Sequence, residues 1–201
     1  MLAFPVEPAH LNDGTPIQLR SLRSDDEARI KAFFYRLSPE SIFYRLLEYR
    51  TMITDAEARQ LCEVNASTRV AIAATRLTEE GEDIIAVARY SVLSPETPDI
   101  AEAAIVVEDA FQRRGLGTLL MRRLVQYARA HGVRRFVATV HYNNAQILRF
   151  IERSRLPVER EMNQGIWQLT IHIDAPEIAL NCGPPARRGS AGRTINSSTC
   201  L

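Results

Sequence analysis

The sequence predicts an α+β fold, in which a mixed, mostly antiparallel twisted sheet of about seven strands carries helices on both faces. Two observations support this prediction. Short runs of β-branched residues flank turn segments such as residues 78–82, a pattern typical of antiparallel hairpins. Other stretches carry apolar residues at helical spacing directly after capping residues such as Ser38 and Thr54. The length of 201 residues suits one domain with a substantial core.

The N-terminal half is predicted to contain a strand, several helices and a hairpin. Residues 1–14 are punctuated by prolines and are interpreted as a loose segment ahead of a domain that spans residues 15–173. Alternation of apolar and polar residues from Ile17 to Arg23 predicts the first strand. Capping signals then predict helix starts at Ser24, Ser38 and Thr54. The runs at residues 69–76 and 83–93 are predicted to form the hairpin.

The C-terminal half is organised around a central strand predicted over residues 99–108. A glycine-containing turn follows, and then a helix that ends at His131-Gly132, because glycine suits the left-handed C-terminal cap. A strand, a helix and two more strands are predicted over residues 134–141, 143–153, 155–161 and 164–173. Residues 174–201 are rich in Pro, Gly, Ser, Asn and Arg, which predicts a disordered tail.

The composition argues against several classes of function. The formal net charge of +1 gives no argument for a nucleic-acid or membrane-surface partner. No apolar run approaches the roughly 20 residues that a membrane-spanning helix needs. Cys62, Cys182 and Cys200 lack metal-binding spacing, so no metal site is expected. The N-terminus has no secretory pattern, and a cytoplasmic location is therefore expected.

The turn between the central strand and its helix has the chemistry of a pyrophosphate site. It runs Gln-Arg-Arg-Gly-Leu-Gly over residues 112–117. The first amides of a helix lack intrahelical partners and lie at the positive end of the helix dipole. Gly115 and Gly117 would let a phosphate approach the backbone, while Arg113 and Arg114 would supply guanidinium donors. The sequence is neither a Walker loop nor G-x-G-x-x-G.

A Gln-x-x-Gly-x-Gly turn between a β-branched strand and a long helix resembles motif A of the GNAT acyl-CoA-dependent acyltransferases. The resemblance covers residues 15–173 and implies a GNAT fold with a splayed central strand pair and acetyl-CoA as acyl donor. In that family the loop holds the pyrophosphate and the strand pairs with the pantetheine arm. By resemblance, the Val107 amide would also polarise the thioester oxygen. The implied cofactor-binding residues are Val106, Val107, Glu108, Gln112, Arg113, Arg114, Gly115, Leu116, Gly117 and Thr118.

The segment Leu-Ser-Pro-Glu-Ser-Ile-Phe-Tyr-Arg-Leu over residues 37–46 narrows the resemblance. It is similar to the N-terminal part of the GNAT domain in bacterial protein-lysine acetyltransferases of the Pat type. This resemblance implies that the acceptor is a lysine side chain of a protein, with an acyl-CoA synthetase among the candidate partners. The early helices would then border the acceptor groove. The sequence leaves the oligomeric state open.

Glu102 is the candidate general base. It lies among alanine and isoleucine residues on the central strand, where burial would raise the pKa of a carboxyl group towards a useful range. In Pat-type enzymes an acid at the matching place acts as the base, directly or through water. The alternative is a strand-end glutamate that pairs with an arginine or faces solvent.

Asn144 begins a second motif. Its spacing to the apolar residues that follow resembles the family's Asn-x-x-hydrophobic helix, in which the asparagine contacts the pantetheine arm. The alternative is a helix N-cap. Many GNAT enzymes carry a tyrosine as general acid where this chain has Ile151, and Pat-like members also lack it. His141 and Tyr142 end the neighbouring strand and are further candidates for proton transfer, although such residues more often serve in packing.

These observations favour an enzyme that moves an acetyl group from acetyl-CoA to an amine by direct attack. A protein lysine is the favoured acceptor. One alternative is the same chemistry on a small-molecule amine, such as a polyamine, an amino acid or a drug. Another is a non-catalytic sensor that binds acyl-CoA. The absent tyrosine at Ile151 keeps the sensor open, whereas Glu102 argues against it.

Overall fold

The computed structural model describes residues 4–175, which form one eight-stranded sheet with five α-helices. The strands are β1 (Glu7–His10), β2 (Pro16–Ser21), β3 (Arg69–Thr78), β4 (Gly81–Val92), β5 (Ile100–Val107), β6 (Arg135–His141), β7 (Val158–Asn163) and β8 (Ile166–His172). The helices are α1 (Glu27–Arg36), α2 (Pro39–Leu46), α3 (Asp55–Cys62), α4 (Leu116–Ala130) and α5 (Ala145–Ser154). The order across the sheet is β1-β2-β3-β4-β5-β6-β8-β7, and within the described residues only β5 and β6 pair in parallel. The predicted α+β architecture is confirmed.

The N-terminus differs from the predicted loose segment, because residues 7–10 form β1 and pair with β2. Pro8 is tolerated there, since an edge strand leaves one row of its N–H groups outside the ladder. The Glu7 carboxylate accepts a hydrogen bond from Arg123 of α4, with an Oε2–Nε distance of 2.8 Å, which fixes the strand to the domain. This edge strand is why the sheet exceeds the expected seven. The predicted tail lies outside the described residues from position 176 onward.

The sheet separates two apolar cores, because alternate residues of β3 point to opposite faces. On one face α4 packs Leu116, Leu120 and Leu124 against the strands, and each is at most 1% exposed. On the other face α1, α2 and α3 cover the sheet with side chains such as Phe33 and Ile42. Burying one such side chain contributes about 1.5–3 kcal/mol, so each helix layer is held firmly by the sheet. Helices on both faces were expected, and they are present.

Two of the predicted helix starts are confirmed. Ser38 and Thr54 each accept a hydrogen bond from the backbone N–H three residues later, at 3.1 and 3.2 Å. Ser24 differs, because it opens a 3-10 turn that ends at Asp26 before α1 begins. The sequence pattern does not predict this 3-10 turn, because the Asp26 carboxylate forms an ion pair with Arg20 that local spacing does not show.

Arg20 joins three elements through a buried ion-pair network. Its guanidinium is 1% exposed and donates to the two Asp26 oxygens at 2.7 and 2.8 Å. It also donates to the two Glu82 oxygens, at 3.0 and 2.8 Å. The hydrogen bond from Arg20 lowers the pKa of Glu82 to about 2. Burial raises the pKa of Asp26, but the hydrogen bonds from Arg20 and a backbone amide bring it below its ordinary value. The network ties β2 and the β4 hairpin to the start of α1.

Candidate active site

A cleft begins where β5 and β6 separate. Backbone pairing joins the two strands from Ile100 to Glu102 of β5. Beyond Glu102, no strand in the described part of the chain pairs with this edge of β5. The other edge stays paired with β4 as far as Val107. One edge of β5 is therefore open over residues 103–107, which is the predicted splayed strand pair.

Alternate residues of β5 present their peptide groups to the open edge. The Glu108 amide donates to the Ile85 carbonyl of β4 at 3.0 Å, so Glu108 and Val106 direct their peptide groups towards β4. Ile105 and Val107 therefore direct their N–H groups into the space left by β6. The structure corrects the predicted run of three backbone contacts. Val107 faces the cleft, but Val106 contributes only its side chain to the wall.

Glu108 makes its contacts within the fold and does not face the cleft. Its carboxylate is buried and accepts a hydrogen bond from Arg36 Nε of α1 at 3.0 Å. Arg36 also donates to the Ile84 carbonyl of β4 at 2.7 Å. The residue therefore links α1 to the central strands, and its assignment to the cofactor is corrected.

The open strand edge lines a cleft of about 510 Å³. Its walls are β5, β6, α4 and α5, and α2 borders it as well. Ile147 and Phe150 of α5 form an apolar wall and are only partly buried. Apolar side chains that remain accessible in a concave site are typical of a ligand-binding cleft.

The turn before α4 is held by the N-terminal segment. Gly115 has a φ of +86°, and a Cβ there would lie 2.6 Å from Asn12 Oδ1, so the fold itself requires glycine. The Asn12 amide donates to the Arg114 carbonyl at 3.0 Å, and Asp13 binds the Arg114 guanidinium. Arg114 is therefore engaged by Asp13 rather than directed to a phosphate. Arg113 is exposed and is the guanidinium of this turn that is accessible to an anion.

Gly117 has a different role from Gly115. A Cβ at Gly117 would lie 3.8 Å from Ile105 Cδ1 and 3.9 Å from Val107 Cγ2, which are ordinary contacts. Its backbone is helical and does not use the left-handed region. Packing therefore does not require glycine here. The missing side chain leaves room over the first-turn amides of Leu116, Gly117 and Thr118, which have no partner inside the helix.

Gln112 connects three elements at the cleft. Its Nε2 donates to the Val107 carbonyl at 3.0 Å and to Ser41 Oγ of α2 at 3.2 Å. Its Oε1 accepts from Gln146 Nε2 of α5 at 3.3 Å. The sequence places Gln112 among the cofactor contacts. The structure shows a bridge that shapes the cleft, which Gln112 also lines.

Asp109 anchors α2 beside the cleft, a role that the sequence analysis missed. Its carboxylate accepts hydrogen bonds from the Ser38 amide at 2.9 Å and from the Ser38 and Ser41 hydroxyls at 2.7 and 2.9 Å. Burial raises the pKa of Asp109, but these hydrogen bonds bring it below its ordinary value. The start of α2 is thereby fixed to the segment that follows β5.

Asn144 is the N-cap of α5. Its Oδ1 accepts a hydrogen bond from the Ile147 amide at 3.1 Å, which is the alternative that the sequence left open. Asn144 also lines the cleft, and the cap leaves its Nδ2 group as a donor. The cap and the predicted contact with a pantetheine arm are therefore compatible.

Glu102 lies where β5 and β6 separate and lines the cleft. Its side chain is exposed, so the expectation of a desolvated carboxyl group is wrong. The cause is the strand separation, which opens the wall on which Glu102 lies. Its charge acts on Arg45 of α2 and Arg89 of β4. No ion pair within 4 Å joins it to either arginine in the described structure.

Val107 and Glu102 lie too far apart on β5 to act on the same thioester in the two roles predicted for them. Val107 and Glu102 are five residues apart, which corresponds to about 16 Å at about 3.3 Å per residue. A group that polarises a carbonyl and a base for the attacking amine must both act beside that carbonyl. The Val107 amide therefore cannot polarise a thioester that Glu102 serves. Ile105, which the sequence analysis missed, has the cleft-facing N–H nearer to Glu102.

His141 and Tyr142 belong to an aromatic cluster beyond the cleft lining. The His141 ring centroid lies 5.3 Å from that of Phe43 in α2 and 4.8 Å from that of Tyr142. The Asn143 amide donates to His141 Nδ1 at 3.2 Å. The structure gives both residues a packing role at the end of β6, where α2 contacts the sheet.

A sheet that splays beside a glycine-bearing helix N-terminus defines the GNAT class of acyltransferases. The family model described as the acetyltransferase (GNAT) family matches residues 34–155, and the chain belongs to this family. Residues 34–155 are therefore an acetyltransferase domain of this family.

The chain is also similar to individual acetyltransferases in sequence and in structure. An acetyltransferase from Pseudomonas aeruginosa is 32% identical over 125 residues, which are 62% of this chain and 66% of that protein. The crystal structure of the GNAT domain of S. lividans PAT has a TM-score of 0.75 at 26% identity, over 84% of this chain and 99% of that chain. An acetyltransferase from Salmonella typhimurium, solved with acetyl-CoA, shares the fold with a TM-score of 0.56 at 19% identity, over 83% and 99%.

The chain thus spans just under two thirds of the Pseudomonas relative's length. None of the helices in residues 4–175 combines the length and the apolar character needed to cross a membrane.

Proposed function

We propose that this chain acetylates lysine side chains of proteins, with Glu102 as the general base. The observation that carries the proposal is the open edge of β5, which connects the glycine turn before α4 to Glu102. The similarity to the GNAT domain of S. lividans PAT supports a protein acceptor, as does the Pat-like segment at residues 37–46. An acyl-CoA synthetase is a candidate acceptor. The expected cytoplasmic location stays a prediction.

The residues of the cleft and the turn before α4 fit the phosphates and the pantetheine arm of acetyl-CoA. The free amides of the first α4 turn and the exposed Arg113 would bind the phosphates. The N–H groups of Ile105 and Val107 would pair with the pantetheine arm as a neighbouring strand does. The apolar side chains of Ile147 and Phe150 would cover it from α5. When bound, acetyl-CoA supplies the acetyl group as a thioester.

Glu102 would accept the proton of the attacking amine. The amine nitrogen bonds to the acetyl carbon as the C–S bond breaks, Glu102 takes the amine proton, and a proton returns to the sulfur. The exposed carboxylate is reachable by an amine or by a bridging water. The open strand edge holds the reacting groups in a fixed orientation, which lowers the entropic cost of the reaction.

A small-molecule amine is the second candidate acceptor, and a specific feature favours it. A pocket of about 220 Å³ lies beneath α1, α2 and α3 and adjoins the cleft at Ala104 and Val106. A small, mostly apolar pocket beside the reacting groups suits a small ligand better than an extended polypeptide.

The test measures thiol release from acetyl-CoA with lysine-containing proteins, including an acyl-CoA synthetase, and with a panel of small amines. Mass spectrometry then locates the acetyl group. Modification of protein lysines alone supports the proposal, whereas turnover of small amines alone moves the chain to the second candidate. Binding of acetyl-CoA without turnover on any acceptor would establish the sensor instead.

The base assignment has its own test. Glu102→Gln is expected to lower kcat by about 10²–10⁴-fold, the usual contribution of a positioned base, and to leave acetyl-CoA binding unchanged. Glu161→Gln on the exposed face of β7 is the matched control and should behave as wild type. Full turnover by Glu102→Gln would show that another group takes the proton.

A further inference from the structure

The pocket beneath α1, α2 and α3 lies on the face of the sheet opposite α4. Its walls are mostly apolar, with Phe33 of α1 and Val87 of β4 among them. Arg45, Ala104 and Val106 line both this pocket and the cleft. Ala104 and Glu102 share one face of β5, since they are two residues apart. A ligand in the pocket therefore reaches the cleft beside the proposed base.

The guanidinium groups of two arginines in this pocket have no hydrogen-bond or ion-pair partner in the described part of the chain. Neither the Arg45 side chain of α2 nor the Arg89 side chain of β4 makes a hydrogen bond there or an ion pair within 4 Å, although both residues are partly buried. Arg50, which lines the same pocket, contrasts with them because it pairs with Glu57 at 2.6 Å. Glu102 is the carboxylate whose charge acts on both unpaired arginines, and it does so over a longer distance.

This arrangement is electrostatically unfavourable for the free protein. Burial lowers the pKa of both guanidinium groups, and the positive charge of Arg45 lowers that of Arg89 further. Partly burying a charge without a counter-charge costs free energy, and groups perturbed in this way cluster at functional sites. The planar fork of arginine matches the two oxygens of a carboxylate. An anion that enters the pocket would therefore relieve both the desolvation and the repulsion.

We propose that the acceptor carries a carboxylate beside its amine, and that Arg45 and Arg89 bind this carboxylate while the amine lies towards Glu102. This inference rests on the proposed acetyl transfer and adds the chemical class of the acceptor. Two sources have this chemistry. One is a small amino acid whose apolar side chain fills the pocket, and the other is a peptide lysine next to an acidic residue.

The experiment uses acceptor pairs that differ by one carboxylate, and concentrations refer to the unprotonated amine because the carboxylate also changes the basicity of the amine. Leucine is compared with leucinamide, and a lysine peptide with a neighbouring aspartate is compared with the same peptide carrying asparagine. The measured quantity is kcat/KM for thiol release from acetyl-CoA. The wild-type chain is expected to favour the carboxylate member of one pair at least about 10-fold, the size of a hydrogen bond to a charged group. The pair that shows the preference identifies the source.

Variants assign the preference to the two arginines. Arg45→Gln and Arg89→Gln are each expected to remove most of the preference, whereas Arg89→Lys should keep part of it because the charge remains. Arg50→Gln is the control from the same pocket and should keep the full preference, since Glu57 already meets its charge. Thermal unfolding of each variant shows that the fold is retained.

The outcomes separate this inference from the proposed function. Equal kcat/KM within both pairs, or a preference that survives both glutamine variants, overturns the inference and leaves acetyl transfer standing. Acetyl-CoA binding with no thiol release on any acceptor overturns acetyl transfer. In that case calorimetry with N-acetylleucine and N-acetylleucinamide tests whether the pocket binds a carboxylate. Binding of the carboxylate alone, lost in Arg89→Gln, supports the anion site, and equal or absent binding of both rules it out.

Discussion

Replacing Gly117 by alanine should strengthen the fold while weakening the cofactor site. The added Cβ meets only ordinary contacts, at 3.8 Å from Ile105 and 3.9 Å from Val107. Alanine is favoured over glycine within a helix by about 0.8–1.0 kcal/mol. The free energy of unfolding should therefore rise by up to about 1 kcal/mol, which corresponds to about 2–4 °C in Tm for a domain of this size.

In the proposed complex the same methyl group would crowd a phosphate at the first-turn amides of α4. A hydrogen bond to a charged group contributes about 1.5–3 kcal/mol, so losing one should weaken acetyl-CoA binding about 10- to 150-fold. Calorimetric titration with acetyl-CoA measures the binding change. Thermal unfolding of the same sample measures the stability change. Opposite signs in the two measurements are the expected signature.

Gly115→Ala is the matched control for this experiment. Its φ of +86° and the 2.6 Å approach to Asn12 make any side chain strained there. The variant should lose about 1–3 kcal/mol of stability. If Gly117→Ala is stabilised but binds acetyl-CoA as wild type does, the phosphate does not lie at this helix terminus and the reasoning is refuted.

Further predictions concern the strand edge and the buried ion pairs. Val107→Pro removes a cleft-facing N–H and should weaken acetyl-CoA binding about 2- to 13-fold, whereas Val106→Pro breaks the β4 ladder and should prevent folding, as circular dichroism would show. Arg20→Met removes the bidentate partner of the buried Asp26 and leaves it only the Arg29 contact at 3.2 Å, so it should cost up to about 3–5 kcal/mol in urea unfolding; no loss would contradict the network's role. Because the pKa of Glu82 is lowered to about 2, its stabilisation of about 3 kcal/mol is present above pH 4.5 and lost as pH falls towards 2. Urea unfolding of Glu82→Gln should lack this pH dependence.

Local sequence predicts the parts of this fold that depend on neighbours along the chain. The cap at Thr54 needs only residues within one helical turn, and the sequence places it correctly. The glycine turn and the helix after it are likewise local features. The run Val106, Val107 and Glu108 is different, because strand geometry sends successive peptide groups to opposite edges. That rule alone favours Ile105 with Val107, so this correction was available from the sequence.

Other features depend on contacts that sequence spacing does not show. The requirement for glycine at Gly115 comes partly from Asn12, more than one hundred residues earlier in the chain. The exposure of Glu102 follows from the separation of β5 and β6, which no local pattern indicates. Arg45 and Arg89 lie on different elements and become a pair only when α2 packs over the sheet.

The contact between Asn12 and Gly115 would couple docking of the N-terminal segment to binding of the ligand. With acetyl-CoA placed as proposed, a docked N-terminal turn and the bound cofactor need the same geometry before α4, so each would favour the other by the same free energy. A tag, trimming or proteolytic nick near residue 12 would therefore change affinity without touching any group that meets the cofactor. Conversely, ligand would protect this end of the chain, which makes N-terminal protease resistance a reporter of site occupancy.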